Sequence, residues 1–415
     1  MNLSSKHMPW LALLSALVTG ILPAGAIAGE DLLTLEVAER AARQHDEGLQ
    51  AAKHRREGLA AEAQAADELP DPQLSVSLQN VPTNNYSLSD SPMTQTVVTL
   101  SQTLPPGNTL AYQAKAASAA VSGQQAAIAI ADRQLSREIR QLWLDVYRQV
   151  ALSRLLEEER GLYRELLDSA RAVYQVNKTS GSDLVRLQAR LSRIEDALDR
   201  RRGEAEAART RLARWVGVAA SRPLPDELPS ILTITPDGAI DQQPEIERLQ
   251  AQLEAARARV DVARQQFAPE IGLQVGYGLQ AGREPNTLSA GVSVSLPIFA
   301  KYRQSPRLRG AQQSAQAAQL ELTKRARDLA AQADGIQARL AALDRRIARY
   351  HDRIIPELQQ VAEMIRGEIG AGQGEFEALI EAERTVLDAR QEQLTLRLER
   401  ADQLINLRYL LEPNA

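Results

Sequence analysis

Cysteine is absent from this chain of 415 residues, and aromatic residues make up only 4% of it. The missing cysteine excludes disulfides and thiolate metal sites, and it also excludes a lipid attached to an N-terminal cysteine. Aromatic side chains are usually more frequent in a large globular core, and the most abundant apolar residues here are Ala and Leu. This balance favours long packed helices over a compact α/β fold.

The chain also has no large net charge of either sign. The chain has 49 Lys and Arg against 53 Asp and Glu, a net charge of −4, with the two signs interspersed throughout. Because no basic stripe can follow a phosphate backbone, we expect no binding to nucleic acid.

Long apolar runs are confined to the N-terminus, where a short basic lead precedes Trp10 to Leu22. The small residues of Ala26-Ile27-Ala28 follow at the spacing of a signal-peptide cleavage site. We therefore predict a cleaved signal peptide and a mature, non-lipidated chain that begins near Gly29. The alternative, a membrane anchor, would need about 20 apolar residues, more than this run provides.

Proline is absent between Pro106 and Pro223 and between Pro306 and Pro356, so nothing in these stretches forbids continuous helix. The first stretch could extend on the order of 100 Å at 1.5 Å per residue before it turns near Gly181. In the second stretch, apolar residues spaced by three and four predict lengthwise packing against another helix. These residues are Ile336, Leu340, Leu343, Ile347, Tyr350, Ile354, Leu358, Val361 and Ile365. A soluble coiled coil would show the same spacing.

The chain repeats itself at a distance of about 190 to 200 residues. In the first matching pair, a helix ends at a proline and a strand follows. In the second pair, a strand ends at a proline before a long helix. The third pair surrounds a turn that contains glycine. The pairs are Leu69 to Gln79 with Ala268 to Gln280, Val97 to Pro105 with Gly291 to Pro297, and Thr179 to Arg190 with Gly372 to Glu383.

Alternating apolar and small polar residues predict four strands, two in each repeat. Their lengths of close to ten residues suit tilted strands that cross an outer membrane, with the apolar face in lipid. The side chains expected to face lipid are Leu74, Val76, Leu78, Leu273, Val275, Tyr277, Val292 and Val294. A soluble hairpin packed on helices would alternate in the same way. If the strands do lie in a membrane, the chain must form an oligomer, because even the smallest barrel needs about eight strands and lipid forbids an open edge.

The order of these elements, a helix, a β-hairpin and a helical hairpin followed by the same set again, resembles the TolC family of outer-membrane efflux proteins over essentially the whole mature chain. Four segments are similar to the branch that accompanies heavy-metal RND pumps of the CzcC and CusC type. They are Leu69 to Ser75, Asn80 to Pro82, Met93 to Gln95 and Leu100 to Pro105. Lipidated relatives begin with an acylated cysteine, which this sequence lacks.

The resemblance implies a mainly α fold with a transmembrane β-barrel. Each protomer of a trimer would add four strands to a 12-stranded barrel and long coiled-coil helices to a periplasmic tunnel, with the inter-repeat linker and the chain end forming a belt. The predicted segments are a signal peptide at 1–28, a first efflux repeat at 29–220 with a β-hairpin at 71–104 and a helical turn near 181, a linker at 221–243, and a second repeat at 244–415 with a β-hairpin at 270–297 and a helical turn near 372.

The function that the resemblance implies is that of an outer-membrane channel in a tripartite efflux system. Such a channel passively conducts substrates, with heavy-metal cations as one candidate class, from an inner-membrane RND pump and a periplasmic adaptor protein to the exterior, and it needs no cofactor. The main alternative is a periplasmic coiled-coil scaffold or adaptor without a barrel. An enzyme of the cell envelope is disfavoured because the sequence has no acid/base or nucleophile cluster.

The two helical turns carry the candidate functional residues, and the resemblance places them at the tip that meets the adaptor. Expected adaptor contacts are Gly181, Leu184, Leu187, Gly374, Leu379 and Ile380. The Leu and Ile side chains among them fit the core of a helical hairpin equally well. The second turn is flanked by the acidic residues Glu368, Glu375 and Glu377, which in three copies would form a constriction that favours cations. Solvated charges beside a turn are the alternative.

No metal or catalytic site is predicted. The histidines of the mature chain, His45, His54 and His351, are scattered among charged helical residues, whereas a stable site needs three or four converging ligands. The glycines from Gly276 to Gly282 lack the spacing and the following helix of a dinucleotide-binding motif.

Overall fold

A computed structural model describes residues 32–84, 86–89, 91–174, 181–280, 284–371, 373 and 375–412. The predicted signal peptide and its cleavage site lie outside these residues. Within them the eight helices are α1 (Leu35–His45), α2 (Glu47–Ala65), α3 (Thr109–Tyr174), α4 (Gly181–Val216), α5 (Pro244–Gln265), α6 (Gln304–Arg349), α7 (Ile355–Gly370) and α8 (Phe376–Leu411). The four strands are β1 (Gln73–Gln79), β2 (Gln95–Leu104), β3 (Glu270–Gln280) and β4 (Thr287–Ser295).

The strands form one antiparallel sheet in the order β1-β2-β3-β4. Each predicted β-hairpin supplies two adjacent strands, and the central β2-β3 pair joins the two repeats. The register aligns Val76 with Val98, Val98 with Tyr277, and Tyr277 with Leu288. Since paired residues in a sheet point to the same side, the alternating patterns of all four strands coincide.

The helices continue the order of the strands as a single layer. Near the sheet, α3 packs against α2 and α5, and α5 packs against α6. Farther from the sheet, α4 and α8 take the places of α2 and α5 beside α3, and α8 also packs against α6 and α7. The longest helix, α3, has 66 residues, which at 1.5 Å per residue is about 100 Å. Among the described helices, none combines the length and apolar character that crossing a membrane requires.

The buried amide of Gln243 connects the end of α8 to the start of α5. Gln243 is 5% exposed and directly precedes α5. Its Nε2 group donates to the carbonyl oxygens of Tyr409, at 2.9 Å, and Leu410 at the end of α8. Its Oε1 atom accepts a hydrogen bond of 2.9 Å from Arg133 on α3. This one side chain therefore bonds carbonyl groups that have no partner within α8. It also holds the start of α5 next to the end of α8.

The linker, residues 221–243, is attached to one face of this layer by side-chain donors. The hydroxyl of Tyr147 donates to the carbonyl of Asp226 at 2.8 Å. The fully buried indole of Trp143 acts indirectly: it donates to the carbonyl of Leu33 at 2.8 Å, and the N–H of Leu33, which precedes α1, donates to the carbonyl of Pro223 in the linker at 2.8 Å. The rings of Trp143 and Tyr147 stack with centroids 5.4 Å apart. A backbone without helical or strand pairing needs such partners for its carbonyl groups.

Arginines supply most of these donors. Arg400 donates to the carbonyl of Thr233 at 2.7 Å. Arg408 donates to the carbonyls of Ile231 and Ile234 at 2.6 and 2.8 Å. Because one guanidinium can bond several carbonyls at once, these side chains fix an irregular segment against regular helices.

The predicted apolar seam of the last helical hairpin differs from the structure at one residue, Val361, whereas Ile354, Leu358 and Ile365 are half-buried. Leu340 and Leu343 are buried as expected, but Val361 is 42% exposed and Ala362 is buried in its place. A π-helical turn at Tyr350–Ile354 joins α6 to α7 and contains an i to i+5 hydrogen bond. This wider turn precedes Pro356, which has no N–H group to donate to a regular helical hydrogen bond.

We predict that Arg408→Ala loosens the linker. Hydrogen bonds from a charged donor contribute about 1.5 to 3 kcal/mol each, so loss of the two linker bonds should make local opening at least about tenfold more frequent. Glutamyl endopeptidase cleavage after Glu227 measures this opening. Arg384→Ala is the control, because Arg384 is an exposed arginine of the same helix that pairs with Glu381 and Asp388 of that helix. Equal cleavage rates in both variants would contradict the anchoring role.

Candidate functional site

One face of the sheet is apolar and exposed. All eight side chains predicted to face lipid lie on it, with exposed fractions between 44% and 68%. The register adds four more large exposed apolar side chains to the same face, Leu100, Ile271, Leu279 and Leu288, together with Val98, Leu104 and Ala290. An apolar surface of this kind on a sheet requires an apolar partner.

The opposite face is polar, rich in glycine and crowded. A typical row across the strands consists of Ser75, Thr99, Gly276 and Ser289. A Cβ atom at Gly276 would lie 2.7 Å from Ser289 Oγ and 3.2 Å from Thr99 Oγ1. A Cβ atom at Gly278 would lie 2.5 Å from the hydroxyl oxygen of its β4 neighbour. Side chains converge on the concave side of a curved sheet, so the glycines allow the polar face to be the concave one.

Both outer edges of the sheet are open in the described part of the chain. β1 pairs only with β2, and β4 pairs only with β3. Each edge therefore presents a row of unpaired N–H and C=O groups, which is a template for pairing with another strand.

The far ends of the helices form two helical hairpins with a shared core. Leu187 and Leu379 are 1% and 5% exposed and pack with the fully buried Tyr163. Leu184 and Ile380 are half-buried against the same cluster. For Leu187 and Leu379, burial within one chain favours the hairpin-core interpretation over direct contact with a partner. Leu184 and Ile380 retain partly exposed surface.

The two predicted turn glycines differ in what the structure describes. Gly181 is the first residue of α4, so the first turn lies between Tyr174 and Gly181. A Cβ atom at Gly181 would be 3.9 Å from the Tyr174 ring, an ordinary contact. Gly374, in the second turn, lies outside the described residues. The second turn itself falls between Gly370 and Phe376, as predicted from the sequence.

The three predicted acidic residues, Glu368, Glu375 and Glu377, are all exposed beside the second turn. The Glu377 carboxylate accepts a hydrogen bond of 2.5 Å from the guanidinium of Arg186, which lies on α4 in the first hairpin. Exposed pairs contribute about 0 to 1 kcal/mol, so this contact sets the position of the two tips more than their stability.

Ionic contacts behind the tips hold each hairpin together. Arg190 donates to Glu159 at 2.8 Å across α4 and α3, and its guanidinium lies 5.7 Å from the centre of the Tyr163 ring. In the second hairpin, Arg366 donates to the buried carboxylate of Glu383. Burial raises the pKa of the Tyr163 phenol above its usual value, so this hydroxyl stays neutral at physiological pH.

No group of three or more potential metal ligands occurs in the described ranges. His45, His54 and His351 are exposed and far apart in sequence. His54 Nδ1 lies 3.1 Å from a carboxylate oxygen of Glu57, within one helix. These contacts are those of surface side chains.

Comparisons with known proteins agree with this geometry. Residues 235–411 match the model of a family described as outer membrane efflux protein. No curated protein sequence matches the chain. The structure of CusC has a TM-score of 0.76 at 18% identity, over 91% of this chain and 92% of CusC. VceC from Vibrio cholerae has a TM-score of 0.73 at 16% identity, over 91% of this chain and 95% of VceC. CmeC from Campylobacter jejuni has a TM-score of 0.69 at 14% identity, over 91% of this chain and 85% of CmeC.

In sequence over residues 235–411, and in fold over nine-tenths of the chain, this protein is similar to outer membrane efflux proteins. The resemblance to the TolC family is thus confirmed, and so is the mainly α fold with its small antiparallel sheet.

We predict that the crowded face does not accept a branched side chain. Gly276→Val should collide with Ser289 and Thr99 and destabilise the sheet by about 1 to 3 kcal/mol. Ala290→Val, which adds a similar volume on the exposed apolar face, should have little effect. Denaturation followed by the β signal in circular dichroism compares the two. Equal stability of both variants would show that the polar face is not closely packed.

Proposed function

We propose that three copies of the chain form a closed duct through the outer membrane. The duct carries solutes from a periplasmic adaptor protein and an inner-membrane RND pump to the exterior. The observation that carries this proposal is the open-edged sheet, whose two faces require two different environments. The similarity to outer membrane efflux proteins supports it.

The apolar face of the sheet would contact lipid, and the concave polar face would line a wet lumen. Four strands cannot surround a lumen, but edge pairing of β1 with β4 of the next copy removes every open edge. Four strands from each of three copies give a 12-stranded barrel. A barrel-less scaffold or adaptor is less favoured, because it would leave the exposed apolar face in water.

The helical layer would continue the duct into the periplasm, with the linker as a belt on its outer surface. A cleaved signal peptide without lipid attachment is consistent with this location. The substrate is less constrained: heavy-metal cations are a candidate only through the resemblance of the sequence to CzcC- and CusC-type proteins.

The helical tips at the far end of the layer would meet the adaptor. Gly181 and Gly374 border the two turns, and Leu184 and Ile380 have partly exposed side chains next to them. The acidic residues beside the second turn would form a ring in the trimer, where the Arg186–Glu377 contact offsets part of its charge.

We predict opposite tolerance for arginine at neighbouring positions of β4. Val292→Arg and Val294→Arg should each destabilise the barrel by about 2 to 4 kcal/mol near mid-membrane, because the charge enters lipid. Ser293→Arg, on the polar face, should cost much less. The readouts are the heat stability of the detergent-extracted protein and its mass by native mass spectrometry. A stable monomer with intact β structure, or equal tolerance at all three positions, would contradict the proposal.

We predict that bulk at the first tip blocks partner recognition. Gly181→Trp should abolish efflux-dependent resistance in cells that contain the cognate pump and adaptor, because the large side chain prevents close approach. Gly181→Ala is the control, since a methyl group makes only ordinary contacts there. Assembly and heat stability should stay unchanged in both, because the sheet lies about 100 Å away. Full efflux by the Trp variant would place the adaptor contacts elsewhere.

A further inference from the structure

A groove runs along α8 between α3 and α6. It consists of two cavities of about 350 and 400 Å³ that share Arg339 and Gln403 and are therefore continuous. Its walls contain Arg137 and Arg148 from α3, and Arg339 and Arg346 from α6. Four arginines thus line one concave surface.

Three of these arginines form no close ion pair in the described part of the chain. Arg346 forms an ion pair of 2.9 Å with Glu392. Among the described residues, no carboxylate oxygen lies within 4.0 Å of a nitrogen of Arg137, Arg148 or Arg339. Arg137 instead lies over the ring of Tyr409, at 4.5 Å from its centre. Arginines elsewhere in the layer, such as those that bond Glu159 and Glu245, are paired, so the groove has unneutralised positive charge.

The groove also has acidic and apolar walls. Glu399 and Asp402 line it from α8, and Ala342 and Leu343 line it from α6. Burial raises the pKa of Asp402, against the opposing influence of the arginines on α3, so this carboxyl gains protons more readily than an exposed one. Its oxygen is also bonded by Asn406 Nδ2 at 3.4 Å. The four arginines of the groove therefore outnumber the two carboxyls of its walls.

The groove opens on the side of the layer that faces away from the linker. On α8, Arg400 and Arg408 contact the linker, whereas Asp402 and Asn406 face the groove. With 3.6 residues per turn, these two pairs lie on opposite sides of the helix. If the linker is the outer belt of the proposed duct, the groove faces the lumen.

We propose that this groove is a binding site for small organic anions, whose carboxylate, sulfonate or phosphate groups contact Arg137, Arg148 and Arg339. Planar guanidinium groups match the oxygens of these anions and form their strongest hydrogen bonds with them. The cavity volumes suit a small organic molecule, and the apolar wall accommodates its carbon skeleton. The inference deepens the proposed duct function, because it makes anionic organic molecules the preferred solutes.

The test is calorimetric titration of the detergent-solubilised full-length protein with benzene-1,4-dicarboxylate. Arg148→Gln and Arg339→Gln should each weaken binding about tenfold, the equivalent of about 1.4 kcal/mol. The matched control is Arg345→Gln, which removes the same charge from an exposed position of α6 outside the groove. Binding should be unchanged in this control. The uncharged benzene-1,4-dicarboxamide should not bind, and Asp402→Asn should bind the dicarboxylate more tightly.

Absence of binding, or an equal loss in Arg345→Gln, would overturn the inference. So would a change in oligomeric mass of the groove variants, because it would make the groove a contact between copies. Conductance in planar bilayers separates this inference from the duct proposal. A conducting protein that does not bind the dicarboxylate would refute the anion site alone. A protein that binds but does not conduct would support the site and refute the duct.

Discussion

Unpaired backbone groups on the outer sides of β1 and β4 are the constraint on which the rest of the structure depends. A single copy of the sheet suits neither solvent: its apolar face disfavours water, and its open edges disfavour lipid, where each unsatisfied group costs several kcal/mol. In the proposed trimer, pairing between copies would meet both demands. The glycines on the polar face would serve the same end, because they permit the curvature that brings the edges of neighbouring copies together.

The helices inherit their arrangement from the sheet. Each strand connects to one helix of the layer, so strand order determines helix order near the sheet. Farther from the sheet, α4 and α8 lie beside α3 in the positions that α2 and α5 occupy near the sheet. Where one helix ends and another begins, backbone groups at the helix ends need hydrogen-bond partners. Gln243 and the arginines of α8 meet that need with side-chain bonds to carbonyls of the helix end and the linker. These polar contacts act together with apolar ones, because Leu224 and Leu232 of the linker are buried in the same core cluster as Trp143.

Sequence alone predicted the features that depend on local pattern. Alternation gave the strands and their apolar faces, proline-free stretches gave the long helices, and the repeat gave two equivalent hairpins. It did not predict the linker contacts or the arginine groove, since these bring α3, α6 and α8 together from positions distant in the chain. The π turn had a weaker signal: the apolar spacing from Tyr350 to Ile354 to Leu358 is two consecutive fours, which breaks the alternation of three and four.

That π turn makes the two repeats mechanically unequal. In the first repeat, α3 runs unbroken to its tip, so the rod resists bending along its whole length. In the second repeat, the wider turn and Pro356 remove regular i to i+4 hydrogen bonds from one point of the rod. Bending stress applied to the tips would thus concentrate at one level and in one hairpin of each copy. In an assembly of such copies, a stiff helix from the first repeat would alternate around the wall with a more easily bent helix from the second repeat.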